Sequence, residues 1–351
     1  MLSSERIEHF GNAQVEPAAF RFWLMFYYRG KVMEVDTSRR LNVSLKSGDA
    51  LGRATSRAPR RKQFWNPAVL TLTPSIVVLT IAVYVFIGWS VLISFTNSKF
   101  APNYDFVGLA QYVRLWNSDR WNVAVVNLGL FSVAFMVISL VIGLLLAIFL
   151  DQKVRAEGTL RMIYLYPMAV SLIVTGTAWK WILNPGLGLE MLFHDIGWTS
   201  IHVNWLIDPK MAVYTLVIAA VWQTAGFVMA IFLAGLRGVD GEIVKAAQME
   251  GAGVFRIYST IIIPMLRSSV FSVIVILIYQ AVRSFDLVVA LTNGGPGFSS
   301  DLPTTFMYNL TFSRGQLAQG AASSVMILLV VVVIIVPYLF SEFKREHHDS
   351  L

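Results

Sequence analysis

Cysteine is absent from all 351 residues, which rules out a disulfide framework and thiolate chemistry and leaves the compartment open. Charge is scarce too: Asp, Glu, Lys and Arg make up 14% of the chain, against about 25% in an average soluble domain. No GxxxxGK[ST] run occurs, so there is no phosphate-cradling loop for nucleotide hydrolysis by this chain. The apolar runs hold no HExxH, no paired carboxylates and no nucleophile–base set, which argues against a membrane-embedded enzyme. His9, His194, His202, His347 and His348 are scattered, and the last two share a polar tail, so no metal cluster is expected.

What is present is apolar. Hydrophobic residues reach 56% and the mean hydropathy is +0.62, both beyond a soluble domain. Six apolar runs, at about 68–94, 122–150, 160–183, 211–236, 265–292 and 319–341, are each long enough to cross a bilayer. The expected fold is all-α: a polytopic membrane protein with six predicted transmembrane helices and a cytoplasmic loop between the fourth and fifth. Residues 1–63 read as a polar, basic cytoplasmic tail without a cleavable signal. Met33 offers a second start, which would leave the segment before it outside the protein. Residues 64–346 form the transmembrane domain and 347–351 a short C-terminal tail.

The net charge of +7 would point to nucleic acid in a soluble chain, but here the cations sort by loop. The N-terminal tail, Lys153, Arg155 and Arg161, then Arg237, Lys245, Arg256 and Arg267, and finally Lys344 and Arg345 fall on one side. The positive-inside rule puts that side, with both termini, in the cytoplasm. Trp89, Trp179 and Trp181 sit near the outer ends of the first and third runs as an aromatic belt, and Lys180 can snorkel to the same interface.

Polar groups inside a span are costly, so they mark a pathway or an internal pair. The fourth run carries Trp222, Gln223 and Thr224, with Phe227 one turn on; the fifth carries Gln280, Arg283, Ser284 and Asp286. Positions 280, 283 and 284 share one helical face by their i, i+3, i+4 spacing. Amide, hydroxyl, guanidinium and aromatic groups together suit a neutral polyhydroxy ligand. The alternative pairs Arg283 with Asp286 one turn away. An ion-coupled carrier would need intramembrane carboxylates, for which Asp286 is the one fair candidate, and internal inverted repeats are not apparent.

The loop 238–264 is polar and rich in small residues. Ala246, Ala247, Gln248 and Met249 favour helix, Gly251 breaks it, and the pattern resumes at Val254 and runs to Pro264. This predicts a short helix, a tight glycine bend and a second helix at the membrane surface. The small residues Ala246, Ala247, Gly251, Ala252 and Gly253 leave a shallow face that a partner's backbone could approach.

Ala246-Ala247, then Glu250-Gly251-Ala252, then Ile263-Pro264-Met265-Leu266 resembles the EAA loop of importer-type (type I) ABC permeases. The resemblance implies that Glu242, Lys245, Ala246, Ala247, Glu250, Gly251 and Ala252 couple to an ATPase subunit. The family usually has Glu at the position of Lys245 and Asp at that of Glu250; the first change reverses a charge. Leu291–Gly297, with Asn293, Gly294, Gly295 and Pro296 at its centre, resembles the turn after the fifth span in maltose-permease-like sugar importers. In that branch sugar contacts come from the middle of span four and from span five, which implies Trp222, Gln223, Thr224, Phe227, Gln280, Arg283 and Ser284 here. The turn itself ends span five at the periplasmic side: its glycines permit positive φ, and Pro296 cannot continue a helix.

Leu150-Asp151-Gln152, Ile163–Met168, Thr175–Gly188 and Ser284–Thr292 are similar to glucose/mannose permease subunits of Gram-negative bacteria, and such stretches recur in permeases for α-glucosides. The implied assembly is an inner-membrane importer. It holds a second homologous permease, two ATPase subunits that use ATP and Mg²⁺, and a periplasmic sugar-binding protein. Membrane lipid surrounds it, and this chain carries no cofactor and no catalytic residue.

Overall fold

A computed structural model describes residues 67–152, 155–198, 202 and 204–349. The tail expected at 1–63, the second start at Met33 and the side chains of His347 and His348 lie outside that description.

Long apolar runs form helices because a backbone in hydrocarbon must satisfy its own hydrogen bonds. Four helices are long and apolar enough to cross a membrane: α1 (Pro67–Ser94), α3 (Asp119–Asp151), α7 (Ala212–Arg237) and the first part of α13 (Leu317–Asp349). The short α2 (Ala110–Trp116) leads into α3. Among the described residues the sole extended pairing is one bridge, Thr96 with Phe106, so there is no sheet.

The other two expected spans are broken. The third is α4 (Glu157–Ala169) followed by α5 (Leu172–Ile182), bent by 100°. The cause is local. Pro167 removes a backbone donor inside the last turn of α4. Val170 (ψ 138°) and Ser171 (ψ 150°) are extended, and the Ser171 hydroxyl caps the new helix by accepting from Val174 N. After the short α6 (Leu189–Asp195) comes α7, then α8 (Gly241–Met249) and α9 (Val254–Met265), which holds a π turn at Tyr258–Ile262. A 67° bend at Leu266, two residues past Pro264, separates α9 from α10 (Arg267–Val282). α10 stops at Val282, and α11 (Phe285–Leu291) resumes after Arg283 and Ser284. The continuous helix face expected through 280, 283 and 284 is therefore interrupted. α12 (Pro303–Tyr308) precedes a second π turn, Asn309–Ser313, and then α13. The chain thus has four continuous candidate spans, or six when each bent pair counts as one.

The core is built around α7, with 72% of its most apolar stretch buried, whereas in α1 the share is 6%. α3 lies along α7, with Phe131 and Phe135 stacked at 5.6 Å on one side and Val228, Met229, Phe232 and Leu233 on the other. Membrane helices lack a hydrophobic driving force for association and rely on close approach at small residues. Two glycines show this. A methyl group on Gly226 of α7 would overlap the Tyr164 carbonyl of α4. One on Gly176 of α5 would lie 2.7 Å from Ala290 Cβ and 3.1 Å from Leu287 O, both on α11.

Candidate functional site

Polar residues of α7 lie beside the breaks at Val170–Ser171 and Arg283–Ser284. Gln223 is buried, and its amide donates to the Val170 carbonyl at 2.7 Å. That carbonyl lies in the extended segment between α4 and α5, where helix bonding has stopped, and an unmet carbonyl at this depth would cost several kcal/mol. Next to it, Thr224 Oγ1 donates to Gln280 Oε1 at 3.0 Å, joining α7 to α10. Ser284 is buried at the second break and donates to the Gln280 carbonyl at 2.8 Å, so its hydroxyl returns to its own helix. Gln223, Thr224, Gln280 and Ser284 thus form one polar band beside the breaks.

The other candidates lie at its margin. Trp222 is exposed and meets Trp179 of α5 edge-on, at 6.1 Å and 75°. Phe227 is half-buried one turn further along α7. Arg283 is exposed, and its Nη1 makes a long contact of 3.4 Å with the Tyr279 hydroxyl. Asp286 is also exposed, and among the described residues no ion pair joins it to Arg283.

At the far end of α7 the chain makes the expected helix, bend and helix. Asp240 caps α8 by accepting from Glu242 N at 2.9 Å, and Gly251 takes φ +80° at the bend. Ala247 is the buried residue of α8; Glu242, Lys245, Ala246, Glu250 and Gly251 are exposed and Ala252 is half-buried. Lys245 Nζ lies 3.7 Å from Glu242 Oε1, a solvated pair within one helix. Met249, Val254 and Phe255 stand out at the bend, Phe255 at 85% exposure. Behind them the ends of α3, α7, α8 and α9 enclose a hollow of about 750 Å³, lined in part by Gln152, Arg237, Lys245, Gln248 and Tyr258. Arg237 in the last turn of α7 pairs with Glu157 in the first turn of α4 at 2.5 Å, each charge complementing its own helix end.

The turn after α11 has positive φ at Asn293 (51°), Gly294 (83°) and Gly297 (63°). Gly295, expected to need that freedom, does not use it, and the asparagine takes its place. The turn is held by residues that carry no local signal. Asp301 is fully buried and accepts from Arg120 Nε at 2.6 Å and from Thr305 Oγ1 at 2.5 Å. The Asn127 amide donates to the Ser299 and Asp301 carbonyls at 2.9 and 3.0 Å. Arg120 also lies 4.2 Å above the Phe298 ring. Histidine spacing hid a further approach: His194 and His202 bring their rings within 6.0 Å.

Residues 139–343 match the family of binding-protein-dependent transport system inner membrane components. The chain belongs to that family, as a multi-pass permease subunit of an ABC transport system rather than an enzyme. It is 39% identical over 280 residues to a probable ABC transporter permease protein of Pyrococcus horikoshii, covering 79% of this chain and 96% of that one. It is 32% identical over 305 residues to a xylose/arabinose import permease protein of Haloferax volcanii, covering 85% of this chain and 96% of that one. Among solved structures, a subunit of a bacterial ABC transporter involved in import of the acidic polysaccharide alginate shares the fold. The TM-score is 0.68 at 19% identity, over 80% of this chain and 95% of that one.

Proposed function

We propose that this chain forms half of the translocation pathway of an ATP-driven importer for a monosaccharide such as glucose or mannose, handed over by a periplasmic binding protein. A second permease supplies the other half, and two ATPase subunits use ATP and Mg²⁺ in the cytoplasm. The observation that carries the coupling part is the exposed loop of α8 and α9, with Met249, Val254 and Phe255 uncovered beside a shallow face of small residues. Contiguous exposed apolar surface at a loop tip suits a protein partner. In this orientation α8, both termini and the cationic loops face the cytoplasm, and the turn at Asn293–Gly297 faces the periplasm.

Closure of the ATPase dimer moves α8 as a rigid lever. Its pull reaches α7 directly, and through α9 it reaches α10. Each of the two breaks beside Gln223 and Ser284 then offers a place where the outer and inner halves of a span can tilt separately, which is alternating access by a two-state element. The sugar is bound by the amides and hydroxyls of Gln223, Thr224, Gln280 and Ser284, with Arg283 at the margin and Trp222 and Phe227 offering apolar faces to its ring. A permease for an α-glucoside or disaccharide is the second reading, since stretches such as Thr175–Gly188 and Ser284–Thr292 are similar to α-glucoside permeases as well.

The test is sugar-stimulated ATPase activity of the reconstituted complex with its binding protein, across glucose, mannose, xylose, trehalose and maltose. Stimulation by glucose or mannose alone supports the monosaccharide reading. Stimulation by disaccharides alone keeps the importer and replaces the substrate. Transport that persists without the ATPase subunits would replace the importer by an ion-coupled carrier.

A further inference from the structure

The segment between α5 and α7 lies at the end of α7 opposite to α8 and takes no part in the polar band. α6 places Glu190 and His194 on one face, four residues apart. Its exit is tightly turned: Gly197 takes φ +100°, Trp198 N donates to the Phe193 carbonyl at 2.8 Å, and the Trp198 ring stacks on Phe193 at 6.0 Å and 18°. His202 returns over the face of α6. Its Nδ1 lies 3.0 Å from Glu190 Oε1, and its ring meets that of His194 at 67°. One ligand-capable atom from each of Glu190, His194 and His202 lies within 4.8 Å of the other two.

We propose that Glu190, His194 and His202 form a Zn²⁺ site. Two imidazoles and one carboxylate are a donor set suited to zinc, and with one carboxylate the cluster offers too few oxygens for a calcium cage. Tetrahedral zinc with bonds of about 2.0–2.2 Å holds its donors roughly 3.3 Å apart. The Glu190–His202 separation of 3.0 Å, a hydrogen-bond distance, lies close to that spacing. His194 and His202 are exposed, so their side chains are free to rotate inward without displacing packed neighbours. Three protein ligands leave the fourth position to water. The ion would tie His202 to α6 and fix the path of the chain into α7 in a protein that has no disulfide to do so. The site is independent of which solute is carried.

The experiment is Zn²⁺ titration of the untagged, purified full complex by calorimetry, with visible absorption of Co²⁺ as a report on coordination. The expected result is one saturable site per copy of this chain and tetrahedral Co²⁺ bands, with neither Ca²⁺ nor Mg²⁺ competing. His194→Ala and His202→Ala, each assembled normally by size exclusion, should weaken binding by more than the roughly tenfold that loss of even an outer-shell partner costs. Glu190→Gln should do the same, whereas the paired change His347→Ala, His348→Ala should leave the site intact. Zinc uptake that survives the His194→Ala, His202→Ala double change, or that vanishes with the C-terminal pair, overturns the proposal, as does failure of the wild type to bind.

Discussion

Arg120 reaches across 181 residues of chain to donate its Nε–H to Asp301 at 2.6 Å, and so ties the start of α3 to the turn that follows α11. The carboxylate is fully buried and the guanidinium side chain is 15% exposed. Removing one partner leaves the other desolvated and unpaired, which costs about 3 kcal/mol or more. Asp301→Ala should lower the unfolding temperature of the purified complex by several degrees, and Asp301→Asn, whose one amide oxygen can still accept one of the two hydrogen bonds, by less. A wild-type melting curve for Asp301→Ala would mean that the turn is held by something else.

Gln223 and Gln280 should separate in a way that their similar side chains would not suggest. Gln223→Ala strands the Val170 carbonyl, so it should both destabilise the complex by about 1–3 kcal/mol and raise the sugar KM. Gln280→Ala removes a partner of the Thr224 hydroxyl but no backbone contact. It should raise KM roughly fivefold, about 1 kcal/mol, with little change in melting. Thr224→Val and Ser284→Ala should raise KM by a similar amount. A wild-type KM in all four variants would remove this band from the pathway.

Phe255 at the bend and Lys245 on α8 should affect coupling and leave the fold alone. Phe255→Asp is expected to abolish co-purification of the ATPase subunits without changing the melting of the permease pair. For Lys245, the solvated contact with Glu242 contributes little by itself. The side chain is available to an acidic or carbonyl group on the ATPase, so Lys245→Glu should uncouple hydrolysis from transport. Unchanged assembly and coupling in that variant would show that the reversed charge has no partner.

Gly226→Ala tests whether α4 and α7 need their close approach. The added methyl would overlap the Tyr164 carbonyl and force the helices apart, at an overpacking cost of about 1–3 kcal/mol or more. Gly176→Ala, facing Ala290 and Leu287, should cost less because 2.7 Å from Ala290 Cβ is a milder overlap than the one on the Tyr164 carbonyl. Equal yield and melting of Gly226→Ala and wild type would mean that the two helices do not pack as described.

The apolar runs and the helix–bend–helix at 238–264 were legible because each depends on neighbours in sequence: hydropathy over about 20 residues, or a glycine where the bend needs φ +80°. The breaks were not. Pro167 was visible, but a proline near a helix end is compatible with a kink or a full stop, and the choice was made by Gln223 offering a donor to the exposed carbonyl. The break at Arg283 and Ser284 carries no proline at all. Arg120, Asn127 and Asp301 were missed because their meaning lies in one another, far apart along the chain. The same holds for His202, whose contacts with Glu190 and His194 join residues that their spacing in sequence does not bring together.

The Gln223–Val170 bond has a consequence for how tightly a sugar can be held. One of its two amide hydrogens is already engaged, so an arriving hydroxyl that takes that hydrogen must trade places with a carbonyl of the same chain. Thr224 and Ser284 likewise spend their hydroxyl hydrogens on Gln280, so a solute that accepts from either makes the same exchange. At those three donors, capture in the proposed pathway is then a near-even exchange of partners. Solutes that swap well are distinguished from those that swap badly, while neither is trapped, and a conduit needs that balance if what enters is also to leave.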